Sequence, residues 1–187
     1  MKINLPTLLT LLRIALIPVL VAMFYLPFEW ARTASAVVFA VAALSDWLDG
    51  FLARKMQLSS RFGAFLDPVA DKLMVVTALI LLLQENTGFF FMLATMVIIG
   101  REITVSALRE WMAEVGQRAS VAVSIVGKLK TAVQMLAITL LLYQQPVFGI
   151  STYQAGVITL YISAFLTLWS MLKYLLAAWP TMRDGSA

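Results

Sequence analysis

The sequence predicts an all-α integral membrane protein, a bundle of six transmembrane helices with a polar cavity facing the cytoplasm. Three observations lead there. Of the 187 residues, 61% are hydrophobic and only 13% charged, with a mean hydropathy of +0.90, whereas a soluble domain averages about 45–50% apolar and about 25% charged. The apolar residues fall in runs of roughly 20, the length that crosses a ~30 Å hydrocarbon core at 1.5 Å per residue. The basic residues, finally, gather on one side of the membrane if those runs alternate in direction.

The first run covers residues 8–26, after a short lead-in containing Pro6. It reads as a retained first helix, because the residues around Ala22, Met23 and Phe24 offer no small-residue cleavage site. The second and third runs cover 33–53 and 63–83. The fourth covers 89–108 and continues as a more polar helical extension through Arg109, Glu110 and Trp111. The fifth and sixth cover 125–143 and 153–177. Pro27, Gly88, Gly116, Pro146, Gly149 and Pro180 lie between or beyond these runs, where helix breakers belong. Residues 1–180 read as one membrane domain and 181–187 as a short polar tail without order. With alternating spans, every Lys and Arg except Arg32 falls on one side. Positive residues concentrate in the cytoplasm, so both termini and the second-to-third and fourth-to-fifth connections are expected there. Trp30, Trp111 and Trp179 read as interfacial anchors, the ten methionines as flexible packing, and Phe89–Phe90–Phe91 as facing either lipid or core.

Composition also narrows the chemistry. Without Cys there is no thiolate ligand or nucleophile, and without His the commonest general base and the usual zinc ligand are both missing. A metal here would be a hard cation on carboxylate oxygens. The net charge of +4 is too small to argue for nucleic acid.

The informative stretch contains Asp46, Asp49, Gly50, Ala53 and Arg54, then Gly63, Asp67 and Asp71. At helical spacing the first set shares one stripe and the second set shares another, on consecutive helices joined by a short loop. The two stripes can therefore face each other near the cytoplasmic end. An Asp deep in a membrane helix costs ~2.5–3.5 kcal/mol on insertion scales, so four so close together need compensation. Two divalent cations would nearly neutralise four carboxylates. Pairing with Arg54, Arg61, Lys72 and Arg101 is the structural alternative, and an ion pathway through the bundle is a third. The regular spacing favours a shared metal cage, and the small residues Gly50, Ala53 and Gly63 leave room for close helix approach or for a substrate.

Written out, the stretch is D-x-x-D-G-x-x-A-R-x8-G-x3-D-x3-D, with all eight fixed positions filled. It resembles the signature of the CDP-alcohol phosphatidyltransferases. The opening from Leu5 to Arg13 is similar to that family's amino-terminal lead-in, although many relatives have Asn where Thr7 stands. The segments Arg101–Glu102, Leu108–Trp111 and Gly127–Thr131 are similar to the bacterial members that act on glycerol 3-phosphate. The resemblance implies a six-helix membrane enzyme, commonly a homodimer, in the bacterial cytoplasmic membrane with a cytoplasmic active site. It implies transfer of a phosphatidyl group from CDP-diacylglycerol to sn-glycerol 3-phosphate with release of CMP. It further implies that Asp46, Asp49, Asp67 and Asp71 hold two Mg²⁺ or Mn²⁺, that Asp71 takes the proton of the acceptor hydroxyl, and that Gly50, Arg54 and Ser60 contact the CDP moiety.

Elementary chemistry agrees with that expectation. Attack on a diphosphate needs charge neutralisation on its oxygens, and with no His available a carboxylate at the edge of the metal cluster is the natural candidate for the base. Arg101, Arg109, Arg118, Lys128 and Lys130 lie on the same side as the acids and suit an acceptor that carries a phosphate; topology or anionic headgroups explain such charges equally well. Arg101 stands out because it lies within an apolar run and needs a partner there. Glu102 is adjacent, but neighbours on a helix point about 100° apart, so the two are not expected to pair. The alternatives are the same transfer to another acceptor alcohol or, in a different class, a small membrane cation carrier.

Overall fold

The computed structural model describes residues 5–56, 61–116 and 125–184. Among them are six helices: α1 (Leu5–Tyr25), α2 (Glu29–Met56), α3 (Arg61–Glu85), α4 (Phe89–Glu114), α5 (Ile125–Tyr143) and α6 (Thr152–Asp184). The described residues form no strand, only an isolated bridge between Val147 and Ile150. Three helical stretches, Thr7–Tyr25, Phe89–Glu114 and Thr152–Trp179, are long and apolar enough to cross a membrane, and Leu129–Tyr143 is a shorter apolar helix. In α2 and α3 the aspartates and their neighbouring basic residues interrupt the apolar run. Large apolar side chains cover the outside: Phe90 is 70% exposed, and Phe165, Trp179, Leu44 and Leu176 are similarly bare. A water-soluble surface does not carry apolar cover on this scale, whereas hydrocarbon solvates it. The protein is an integral membrane helical bundle.

Two helix ends differ from expectation. Pro6, in the lead-in ahead of the apolar stretch Thr7–Tyr25, is already helical and lies in the first turn of α1, where a missing N–H goes unnoticed because the first four helical N–H groups have no intrahelical acceptor anyway. At the other end α6 continues to Asp184, so the helix takes in residues expected to form a tail without order. The remaining boundaries have clear local causes. Gly88 is the N-cap of α4, and Gly116 takes a φ of +75° just past its end, the left-handed conformation that terminates helices. The α5–α6 connection closes on two hydrogen bonds between Val147 and Ile150, of 3.0 and 2.9 Å. Its tip, Phe148–Gly149, has positive φ at both residues, as a two-residue turn of type I′ requires. Ser151 then caps α6, its hydroxyl accepting the Gln154 N–H.

Two compact units are present, one of residues 1–86 with 138–156 and one of 87–137 with 157–187. In the first, α1 packs against both α2 and α3. Its core includes Leu20, Phe39, Leu79, Leu82, Leu141 and Leu142, with Ala42, Ala70 and Ala78 fully buried. Small residues at such positions let helix backbones approach closely. Gly156 on α6 is a further case: a Cβ there would stand 2.8 Å from Leu141 Cγ and 3.1 Å from the Leu141 backbone nitrogen. The Gly156→Leu variant should therefore lose about 1–3 kcal/mol of stability, seen as a lower Tm in detergent; an unchanged Tm would show that α5 gives way freely at this point.

The second unit is built around Val105, Leu108 and Met112 of α4 packed on Tyr174 and Ala178 of α6, with Trp111, Met171 and Leu175 against them. Phe91 is buried here while Phe89 and Phe90 are exposed, so the triple-Phe segment divides between core and lipid.

Candidate active site

Three of the four signature aspartates meet one face of α1. Thr7, Thr10 and Arg13 recur every third residue and are all buried, Arg13 to 1% exposure, which makes a polar stripe inside an otherwise apolar helix. Arg13 Nη1 lies 3.2 Å from Asp46 Oδ1 of α2 and is also paired with Asp71 Oδ1 of α3. The Thr10 hydroxyl donates to Asp67 Oδ1. Asp46 of the α2 stripe and Asp67 and Asp71 of the α3 stripe thus meet α1, while the side chains of Asp49, Gly50 and Ala53 lie outside the described residues. Neither Arg13 nor Thr10 was singled out for this from sequence. The signal was present all the same: a charge inside an apolar span has to be compensated.

Asp46 and Asp71 are sealed toward Arg13 and remain about one-third exposed on their other side. Asp49, Gly50 and Arg54 lie on α2 and Lys128 on α5, but their side chains fall outside the described residues, as do Ser60 and Arg118 altogether. Among the described residues no three acids close into a metal-holding group. The donor set nevertheless fits a hard divalent cation. It consists of carboxylate oxygens, and two of the carboxylates already converge on a single positive centre, for which the Arg13 guanidinium stands in.

A second cluster forms in the other unit. Arg101 is buried and Lys130 is 1% exposed, and both bind Glu102: Arg101 Nη1 lies 3.1 Å from Glu102 Oε1, and the Lys130 ammonium donates to the same oxygen. This corrects the expectation that Arg101 and Glu102 do not pair. Their Cβ directions do diverge, but an Arg side chain is long enough to bend round the helix, and Lys130 of α5 draws the carboxylate into reach. Arg101 Nη2 donates to Ser170 Oγ across 3.4 Å. Arg109 Nη2 donates to the Tyr174 hydroxyl at 2.9 Å. The Arg101 and Arg109 guanidinium carbons lie 5.9 and 5.1 Å from the centre of the Tyr174 ring, within cation–π range. The structure therefore brings together Arg101, Arg109 and Lys130 of the five basic residues expected to act jointly, and adds Glu102, Ser170 and Tyr174.

The described residues thus show spanning-length helices, two carboxylates on a buried arginine with a third on the neighbouring Thr10, and a cluster of basic side chains around Glu102. Comparison with known proteins gives this membrane bundle a family. Residues 3–169 match the family described as CDP-alcohol phosphatidyltransferase, and the chain belongs to it. A Salmonella choleraesuis protein named CDP-diacylglycerol–glycerol-3-phosphate 3-phosphatidyltransferase is 53% identical over 98% of this chain and 100% of its own length. The protein of the same name from Escherichia coli K12 is 50% identical over the same shares.

Proposed function

We propose that this chain transfers the phosphatidyl group of CDP-diacylglycerol to sn-glycerol 3-phosphate, forming phosphatidylglycerophosphate and CMP, as a step of phosphatidylglycerol and cardiolipin synthesis. The observation that carries the reading is its likeness, over nearly the whole of both chains, to relatives bearing that activity in their names. The convergence of Asp46, Asp67 and Asp71 on α1 supports it from geometry.

In this reading all six helices span the bacterial cytoplasmic membrane, residues 1–180 act as one catalytic domain, and both termini and the site face the cytoplasm. Two copies associate as a homodimer. Asp46, Asp49, Asp67 and Asp71 hold two Mg²⁺ or Mn²⁺. When bound, these cations neutralise the non-bridging oxygens of the diphosphate and stabilise the departing CMP. Gly50, Arg54 and Ser60 receive the CDP moiety, with Arg54 suited to a bidentate phosphate contact. Arg101, Arg109, Arg118, Lys128 and Lys130 hold the phosphate of the acceptor and so orient its free hydroxyl. Asp71 takes the proton from that hydroxyl as its oxygen bonds to the lipid-bearing phosphorus. The bond from that phosphorus to the CMP oxygen breaks, and CMP leaves with the electron pair. A cation carrier would need acids along a route through the membrane; here Asp46, Asp67 and Asp71 gather against one face of α1.

Mass spectrometry of the lipid formed from CDP-diacylglycerol, with glycerol 3-phosphate, serine or inositol phosphate supplied separately, tests the acceptor. Phosphatidylglycerophosphate should appear, and the other two should give no product above background. A product from serine or inositol phosphate alone would retain the transferase and replace the acceptor.

A further inference from the structure

Glu102 has no place in the reaction as described so far, yet it organises the second cluster. Its carboxylate is the acceptor for buried Lys130 and for Arg101 Nη1. Two hydrogen-bond donors of the cluster, Arg101 Nε and Arg109 Nε, are buried and meet no acceptor among the described residues. Buried N–H groups are rarely left this way, since each unmet donor carries a desolvation penalty. Among the described residues, Arg101, Arg109 and Lys130 gather around one carboxylate, that of Glu102, a surplus of two positive charges. A phosphate monoester brings about −1.5 to −2 at neutral pH, with three strong acceptor oxygens, and so matches both the surplus and the unmet donors. A carboxylate offers two oxygens and one charge.

We infer that Glu102 is a resident counter-ion in the acceptor site, which holds Lys130 and Arg101 in position before substrate arrives and yields them to the phosphate monoester of the acceptor. The inference rests on the proposed reading of this cluster as the acceptor-phosphate site and adds Glu102 to it as a positioning residue. The difference in burial suits the exchange: the Lys130 side chain is 1% exposed and that of Glu102 19%, so the carboxylate has somewhere to turn while the ammonium stays fixed. A tethered carboxylate also screens the site. Monoanions compete poorly with a carboxylate held in place, whereas a dianion that reaches the unmet donors displaces it. Selectivity for a phosphate monoester over carboxylate-bearing acceptors follows.

The test uses inorganic phosphate and acetate as probes of purified protein in non-ionic detergent free of anionic lipid, with binding read by calorimetry and thermal unfolding. Removing the competing carboxylate in Glu102→Gln should tighten inorganic phosphate about tenfold, the scale of one charge-assisted hydrogen bond. Acetate should bind the parent weakly and gain at least as much in the variant. In turnover, KM for glycerol 3-phosphate should fall while KM for CDP-diacylglycerol holds, and Glu102→Asp should return phosphate affinity toward the parent value. Lys130→Met should remove phosphate binding. Equal or weaker phosphate binding by folded Glu102→Gln overturns the inference. If that variant unfolds without an anion, millimolar phosphate must restore its folding; failure to do so overturns the inference as well. These readings need no turnover. Tighter phosphate binding in Glu102→Gln, with glycerol 3-phosphate inert as acceptor, would retain Glu102 as counter-ion and remove the acceptor reading. Turnover with glycerol 3-phosphate but unchanged phosphate affinity would remove the role of Glu102 alone.

Discussion

Asp71→Asn should lower kcat by about 10³-fold, within the range that a positioned general base supplies, and leave a folded protein that still binds CDP-diacylglycerol. The substitution keeps the shape of the side chain and removes both its charge and its capacity to take a proton. The loss should be steeper than for Asp67→Asn, whose Thr10 contact an amide oxygen can still accept. CMP release under saturating substrates measures the effect, with circular dichroism and CDP-lipid binding as controls for folding. Undiminished release from the variant would remove Asp71 as the base. Release lost together with CDP-lipid binding would assign it to substrate binding instead.

The second large effect concerns Arg13. Its guanidinium is buried between Asp46 and Asp71, so Arg13→Met leaves those two acids, with Asp67 nearby on α3, without their principal counter-charge. Breaking such a pair costs about 3–5 kcal/mol when the remaining charge is buried. The carboxylates here keep one face open, so a loss of about 2–3 kcal/mol is expected. That is several degrees of Tm for a chain of this size. The loss should be largest in a chelator and shrink in millimolar Mg²⁺, because a divalent cation supplies the charge that Arg13 no longer brings. The same loss with and without metal would mean that arginine and cation do not serve the same carboxylates.

These two residues also show where a sequence is readable. Asp46, Asp67 and Asp71 could be placed because regular spacing on consecutive helices dictates which face each occupies. Their meeting point could not, since a stripe says which way it faces but not which third helix covers it. Arg13 entered the sequence reading through the side of the membrane on which its charge falls and as the end of the amino-terminal lead-in, with no partner assigned to it. Its period with Thr7 and Thr10 carried the missing information: three buried polar residues on one face of an apolar helix have to face a polar partner. Glu102 was misread for a different reason. Helical geometry sets Cβ directions, but a long guanidinium and a lysine from another helix can still converge on one carboxylate, and the partner on α5 lies 28 residues away in sequence. Helix number and most boundaries followed from apolar run length and from glycine positions such as Gly88 and Gly116. The start of α1 and the end of α6 did not, because a proline in a first turn and a polar final turn look like non-helical sequence.

The most direct test of the account is CMP release from CDP-diacylglycerol by the purified protein, with Mg²⁺ and glycerol 3-phosphate each supplied or withheld. Release should require both, falling to background in a chelator and in the absence of glycerol 3-phosphate. Full release in the chelator would contradict the metal-holding role of the aspartates, and release at the same rate without the acceptor would contradict transfer to glycerol 3-phosphate.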